Sequence, residues 1–281
     1  MTQFFNKAIK TVLPLLLLLL VMIPQASAQD DITYQEYGFW IGSSTYFGDL
    51  NPTYSFNKTR PAFGAFYKYS IGPYIAFKGG INYASVAGTD ELSTNPFPER
   101  RNLSFRTNIF ELGGHVEFNF VRYIPGSKKY FAAPYLTIGL SMFHFEPQAE
   151  YQGTWYNLRE LGTEGQQNGD FSGKEPYKNV QASIPVGLGF KYWIQNRWNF
   201  GVEANYRFAF TDYIDDVGGT YVNPNILGTA SVSSALADRS SEVGPKIGSD
   251  GRQRGDSVGN DAFVFVGIFV TYTIFEGNCP K

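Results

Sequence analysis

Among 281 residues, two histidines and one cysteine stand beside 25 acids and 23 bases, so the side chains able to do chemistry are few. His115 shares a two-residue register with Glu111 and Glu117, the start of a base and the carboxylate that orients it. No nucleophile can be named beside them, so a histidine held in a charge network is the plainer account and no catalytic residue is expected. His144 stands between Phe143 and Phe145, a setting for an interfacial imidazole. Asp212, Asp215 and Asp216 offer the hard oxygens that Ca²⁺ takes, but without the ligand alternation and glycine of a calcium loop. Neither metal nor cofactor is therefore expected. Cys279 has no internal partner; a spare thiol and an intermolecular disulfide both stay open.

The segments that carry these charges have a period of two. From Trp198 to Phe210 the even positions (Trp198, Phe200, Val202, Ala204, Tyr206, Phe208, Phe210) are mostly apolar, while Asn199, Glu203, Asn205 and Arg207 alternate with them. Such alternation is a β-strand with two unlike faces. An aromatic face opposite an ionic one fits a strand of a closed barrel in lipid, apolar side out. Eight segments read this way: Tyr37–Tyr46, Ala62–Tyr69, Tyr74–Ala84, Phe105–Phe120, Pro134–Phe145, Ala182–Ile194, Trp198–Tyr213 and Asp261–Ile274. Phe39, Trp40 and Ile41 are consecutive and leave the first strand's parity open. The fourth changes phase near Asn108, where a bulge above the membrane is expected.

Short connections (Ser70–Pro73, Val121–Ala133, Gln195–Arg197) alternate with long ones at 47–61, 85–104, 146–181 and 214–260. Short periplasmic turns and long outer loops are the bacterial pattern, which makes the fold an all-β, antiparallel, up-and-down transmembrane barrel of about eight strands, of outer-membrane type. The competing architecture is a lipocalin-like soluble barrel with the faces exchanged. Lys7 and Lys10, the apolar run Val12–Ile23 and Ala26-Ser27-Ala28 form a secretory signal peptide over residues 1–28, leaving 29–281 as one barrel domain destined for the outer membrane. Losing those two lysines takes the net charge from −2 to −4, which speaks against nucleic acid as a partner. Membrane lipid is the partner that the apolar faces imply. With those faces outward, Lys68, Lys78, Glu111, His115, Glu117, Lys191, Glu203 and Arg207 enter the lumen. So narrow a barrel is filled by side chains, and its charges should pair; a conducting pore is the competing reading. The Ser/Gly/Arg-rich stretch 228–260 is expected to be a mobile surface loop.

Four stretches carry a resemblance: Ser44 to Asn51, with Gly48-Asp49-Leu50-Asn51; Leu161-Gly162-Thr163-Glu164-Gly165-Gln166; Ser183-Ile184-Pro185-Val186-Gly187 with Gly189; and Tyr206-Arg207 running into Thr211-Asp212-Tyr213-Ile214-Asp215-Asp216-Val217. With Arg101-Asn102-Leu103-Ser104-Phe105 and Cys279-Pro280, the chain resembles the PorG-like outer-membrane barrels of Bacteroidota, a component family of the type IX (Por) secretion system. It departs from them at Gly218-Gly219-Thr220, where the family usually has Ser-Thr-Thr. The resemblance implies a non-enzymatic part: tying a periplasmic ring, formed by a lipoprotein and its partner, to the outer membrane. That machine exports cargo with a C-terminal signal and, in gliding species, adhesins. By loop length the motifs fall at the outer end, whereas a ring would meet the inner end, where Arg122, Lys128 and Lys129 form the basic turn. Asp49 and Asp212, ending strands one and seven, are expected to share hydrogen bonds, with loss of Asp212 lowering stability. A general OmpA- or OmpX-like structural or adhesive barrel is the alternative function.

Overall fold

Period-two segments without glycine- or proline-rich interruption form long strands, and each pairs antiparallel with the next. In the computed structural model, described for residues 33–275 apart from 94, 169–172, 229 and 257–258, the strands are β1 (Thr33–Phe47), β2 (Arg60–Ile71), β3 (Ile75–Thr89), β4 (Ser104–Asn119), β5 (Ala132–His144), β6 (Gln148–Tyr151), β7 (Thr154–Asn157), β8 (Val180–Gln195), β9 (Trp198–Ala209) and β10 (Ala262–Phe275). Ladders run β3-β2-β1-β10-β9-β8-β5-β4, and β3 pairs back onto β4, closing an eight-stranded antiparallel barrel with no free edge in the ring. The short pair β6–β7 stands outside the ring, joined to β4 through Arg106 and Gln148. The leader at 1–28 and the tail holding Cys279 lie outside the described residues.

Parity decides which side chain faces where. Tyr37, Phe39 and Ile41 point outward while Glu36 and Trp40 turn in, which resolves the first strand. Leu112, Val116, Leu140, Met142, Phe200, Val202 and Ile268 continue an exposed apolar band around the wall. Among the described residues of the eight ring strands, Arg106 is the one charge on the outward parity, and it lies at the outer end with its guanidinium 3.3 Å from the Trp155 ring centre. The bulge expected near Asn108 is absent: β4 keeps an unbroken register with β3 from Ser104 to Phe118. What changes there is the chemistry of the inward face. Phe105 and Ile109 turn in where the barrel mouth is covered, and Glu111, His115 and Glu117 turn in deeper down.

Four outer loops do the covering: L1 (48–59), L2 (90–103), L3 (145–179) and L4 (210–261). They contain the short helices α1 (Pro96–Arg101), α2 (Leu158–Leu161), α3 (Pro224–Leu227) and α4 (Val232–Ala237). Beneath them Tyr46, Phe105, Ile109, Phe143, Phe145, Phe263 and Phe265 make an apolar layer continuous with Leu50, Leu103, Leu158, Ile214 and Leu236 from the loops. Among the described residues of 228–260, those at 236–238, 240, 254 and 255 are buried in the cap, so this part is packed where the composition suggests a mobile loop, while 241–246 and 249–253 lie on the surface as expected. Asp238 explains this, since it accepts from Ser240 N, Ser240 Oγ and Gly248 N, satisfying backbone that a Ser/Gly segment otherwise leaves to water.

Candidate functional site

The lumen is built in tiers, each crossing the barrel. In the innermost, Glu117 from β4 takes both Lys68 (2.7 Å, β2) and Lys191 (β8). Glu36 stands 3.7 Å from Lys68 and accepts from Asn199 Nδ2 (2.7 Å) and Thr271 Oγ1 (2.9 Å), while Tyr123 donates to Asn199. At the middle level Lys78 of β3 meets Glu203 of β9 at 2.7 Å, and Tyr135 Oη donates to the same carboxylate. Above it Arg207 binds Glu111 with both Nε and Nη2 at 3.2 Å and lies 3.7 Å from the Phe265 ring centre. Asn82 adds a donor to Glu111, and Trp40 donates to Asn82. Four acids (Glu36, Glu111, Glu117, Glu203) thus face four bases (Lys68, Lys78, Lys191, Arg207). In a low-dielectric interior such charges are tolerable only as pairs. Glycines make room for the rings between the tiers; a Cβ at Gly201 would lie 2.2 Å from Phe269 Cζ.

His115 turns into the lumen beside this network. Its Nδ1 is buried without a hydrogen-bond partner, and it faces a cavity of about 40 Å³ between Lys78 and Arg207. That space is large enough for a few water molecules. His144 points outward and is exposed. Ser183 of the third motif turns in and hydrogen-bonds Ser141 at 2.7 Å, while Pro185 interrupts the β5–β8 ladder. Pairing skips from Ile138↔Val186 to Ser141↔Ser183 because proline has no N–H to give.

The outer motifs meet in the cap, where most of their polar side chains are paired, although Gln166 Nε2 is buried without a partner. Arg101 clamps Asp90 with two bonds of 2.8 Å and donates to the Asp49 carbonyl at 2.8 Å, joining L1 and L2. Arg254 joins L3 and L4: it donates to Glu164 Oε1 (3.1 Å), the Asp216 carbonyl (2.6 Å) and the Ala237 carbonyl (3.1 Å). Glu164 also accepts the amides of Gly218 and Gly219, the loop tip at which this chain departs from the family it resembles. Thr163 and Tyr177 donate to Asp216, and the Gln166 side chain takes the Glu164 amide. Gly162 (φ 59°) ends α2 in the left-handed conformation, Gly165 (φ 85°) turns the chain again, and Thr211 Oγ1 caps the Tyr213 amide.

In the first motif, Asn51 ties the Tyr46 carbonyl to Ser55, Leu50 enters the apolar layer, and Asp49 receives the Asp256 amide at 3.0 Å. Gly48 admits no side chain: a Cβ there would lie 1.9 Å from Asp261 Oδ1 and 2.1 Å from Tyr46 Oη.

Carboxylates outnumber cations under this cap. Tyr46 Oη lies 2.6 Å from Asp215 Oδ2 and 2.8 Å from Asp261 Oδ1, yet a phenol has one hydrogen. Both contacts are satisfied when one carboxyl keeps its proton. Burial, then mutual repulsion, holds Asp261 well above the usual carboxylate range, and burial with the Asp49 charge does the same for Asp215. The grouping Asp212–Asp215–Asp216 considered for an ion does not form. Asp215 turns to Tyr46, Asp216 turns to Thr163, Tyr177 and Arg254, and Asp212 meets Asp49 and Asp256 with carboxylate oxygens within 4.8 Å of one another. Nothing besides this acidity points to a cation there. Asp49 and Asp212 are neighbours as expected, but no hydrogen bond joins them. Burial and the surrounding carboxylates push Asp212 up to about 8, and burial pushes Asp49 up to about 6.

The inner end is chemically different. Arg122 is half-buried with its guanidinium 5.2 Å from the Tyr130 ring centre, Lys129 stands 5.2 Å from the same ring, and Lys128 and Arg197 are exposed. Among the described residues of the three short turns no acid offsets these four cations. The sequence gives no role to Glu36, Arg254 or Asp261, and it holds Tyr46 and Arg101 only as members of the resembling stretches 44–51 and 101–105.

A family model for a domain of unknown function, DUF6089, matches residues 10–228, which takes in β1 to β9 and most of the cap. The chain belongs to the DUF6089 family. Among curated proteins none matches its sequence. Solved structures with which this DUF6089 barrel shares a fold include the attachment invasion locus protein Ail of Yersinia pestis, crystallised with sucrose octasulfate (8% identity, 86% of this chain and 99% of that one, TM-score 0.41). They also include neisserial surface protein A (8% identity, 88% and 99%, TM-score 0.39) and OprG of Pseudomonas aeruginosa (9% identity, 87% and 95%, TM-score 0.35). These are likenesses of fold, at TM-scores too low to bear on ligand or partner.

Proposed function

We propose that this chain is a non-enzymatic outer-membrane barrel that serves a type IX secretion apparatus by tying its periplasmic ring to the membrane. The observation that carries the membrane half is the wall: an apolar outward face whose one strand charge is parked on Trp155, enclosing a lumen whose ions pair inside. That is the arrangement in which bilayer surrounds the barrel and bulk water does not. A lumen crossed by ion pairs and closed by a cap supports a holding role over transport, and its small cavity supports it over catalysis. The docking half rests on the PorG-like motifs together with the basic inner turn Arg122, Lys128 and Lys129, which faces the compartment where such a ring stands. Deleting the gene should abolish export of cargo with a C-terminal signal while the outer membrane stays otherwise intact. A photo-crosslinker at Lys128 should capture ring proteins; normal export and no capture would refute the role.

The second reading is a structural or adhesive barrel of the OmpA or OmpX kind. It is favoured by the braced outer cap, which displays Trp155 and Val243 to the outside. Under it, crosslinks would form from the cap and none from Lys128.

A further inference from the structure

L1 folds outward over the barrel wall at β1. Thr59 Oγ1 pairs with Thr45 Oγ1 at 2.9 Å, and Thr45 lies on the outward parity of β1. Phe47, also outward, is nearly covered, because Tyr54 (5.0 Å between ring centres) and Phe56 (5.6 Å) fold onto it from one side and Tyr206 (6.1 Å) from the other. The two covering rings are left 62% and 61% exposed, comparable to residues in the middle of the lipid-facing band such as Leu140 at 70%.

Their height is fixed by register. Phe47 lies across from Ala262, which lies across from Phe208, itself outward and exposed, with exposed Phe210 beyond it. The L1 rings therefore extend the outer rim of the wall's apolar band. The loop is also held in shape for this. Asn51 bonds the Tyr46 and Ser55 carbonyls and receives the Ser55 amide. Tyr54 sits at φ 54°, a left-handed conformation that a bulky residue adopts only under constraint. Lys58 and exposed Arg60 follow directly.

We propose that the L1 tip is an interfacial anchor: Tyr54 and Phe56 enter the outer leaflet at the boundary between headgroups and acyl chains, with Lys58 and Arg60 beside the phosphates. Aromatic rings prefer that depth, and long basic side chains reach the headgroups above it. The occupant is lipid because the patch is continuous with the lipid-facing wall and at its level; the inference rests on the membrane reading above. L1 then fixes how deep the barrel rides, and it is withheld from ligands outside the cell.

The test uses the full mature chain with Cys279→Ser, refolded into phosphatidylcholine vesicles and carrying an environment-sensitive fluorophore at Phe56→Cys or, separately, Tyr54→Cys. Loss of fluorescence to a lipid bearing a nitroxide near its headgroup, a blue-shifted emission and shielding from aqueous iodide are expected at both sites. Asn51→Ala, which unties the loop, should return the label toward water. A label open to iodide and indifferent to the lipid nitroxide overturns the proposal. A label at Leu140→Cys separates the two failures: if it is quenched by lipid and L1 is not, only the anchor falls, whereas if neither is quenched the membrane reading falls too.

Discussion

Replacing Arg254 by methionine removes the cation that holds L3 against L4. The arginine is 1% exposed and donates to Glu164, to the Asp216 carbonyl and to the Ala237 carbonyl. Methionine fills much of the volume but gives none of these bonds. Glu164 keeps the Gly218 and Gly219 amides and Lys174 at 3.4 Å, while Asp216 keeps Thr163 and Tyr177. Breaking a buried pair from one side costs about 3–5 kcal/mol, because the orphaned charge stays out of water. Loops open locally, so the loss appears in the cap while the barrel below stands. Hydrogen exchange at the Gly218 and Gly219 amides should accelerate by roughly two to four orders of magnitude, at about 1.4 kcal/mol per decade. Trypsin should enter L4 while the folded barrel keeps its mobility on a detergent gel. Adding Glu164→Gln should recover part of the protection, since removing both partners costs less than removing one. Unchanged exchange in the single variant would refute the idea that the cap is braced by Arg254.

Stability of the cap should fall with rising pH. Asp212 and Asp49 hold protons more tightly folded than unfolded, so their contribution is complete below the unfolded carboxylate value and is lost as pH climbs through about 6 for Asp49 and about 8 for Asp212. Asp212→Asn should flatten the upper part of that decline in near-ultraviolet circular dichroism melts, and a destabilised variant at pH 8 would restore the older expectation of a supporting hydrogen bond. Glu117→Gln leaves Lys191 without its carboxylate and Lys68 with only Glu36, so the temperature at which the barrel unfolds on a detergent gel should drop, by about 3–5 kcal/mol of stability; an unmoved transition would count against pairing at the inner tier. In planar bilayers the unmodified barrel should pass no steady current, because ion pairs cross the lumen above and below its cavity and the cap closes the mouth; a stable ohmic channel would contradict this sealing.

The wall was legible because strand parity is a local property: Val202 and Glu203 announce opposite faces whatever surrounds them. Parity failed only where it was masked. Phe39-Trp40-Ile41 hid the inward turn of Glu36, and Phe105 with Ile109 looked like a slip of register because their apolar inward positions belong to the cap layer rather than to the lumen. The cap was illegible for another reason. Arg101 and Arg254 take many of their partners from main-chain carbonyls well separated along the chain, and carbonyls carry no sequence signal. A Ser/Gly composition reads as mobile until the buried aspartate that gathers its amides is seen in place.

The reach of the lumenal pairs bears on how such a wall gets into a bilayer. Lys78 and Glu203 stand 125 residues apart in the chain, Arg207 and Glu111 stand 96 apart, and Lys191 and Glu117 stand 74 apart. A hairpin of β2 and β3 entering alone would drag two unmatched ammonium groups into hydrocarbon, and β8 with β9 would carry its own unmatched set. Neither fragment holds the partners its charges take in the closed barrel until the opposite side of the cylinder arrives. Piecemeal threading is thereby disfavoured, and the chain has to curl up at the water boundary before it sinks.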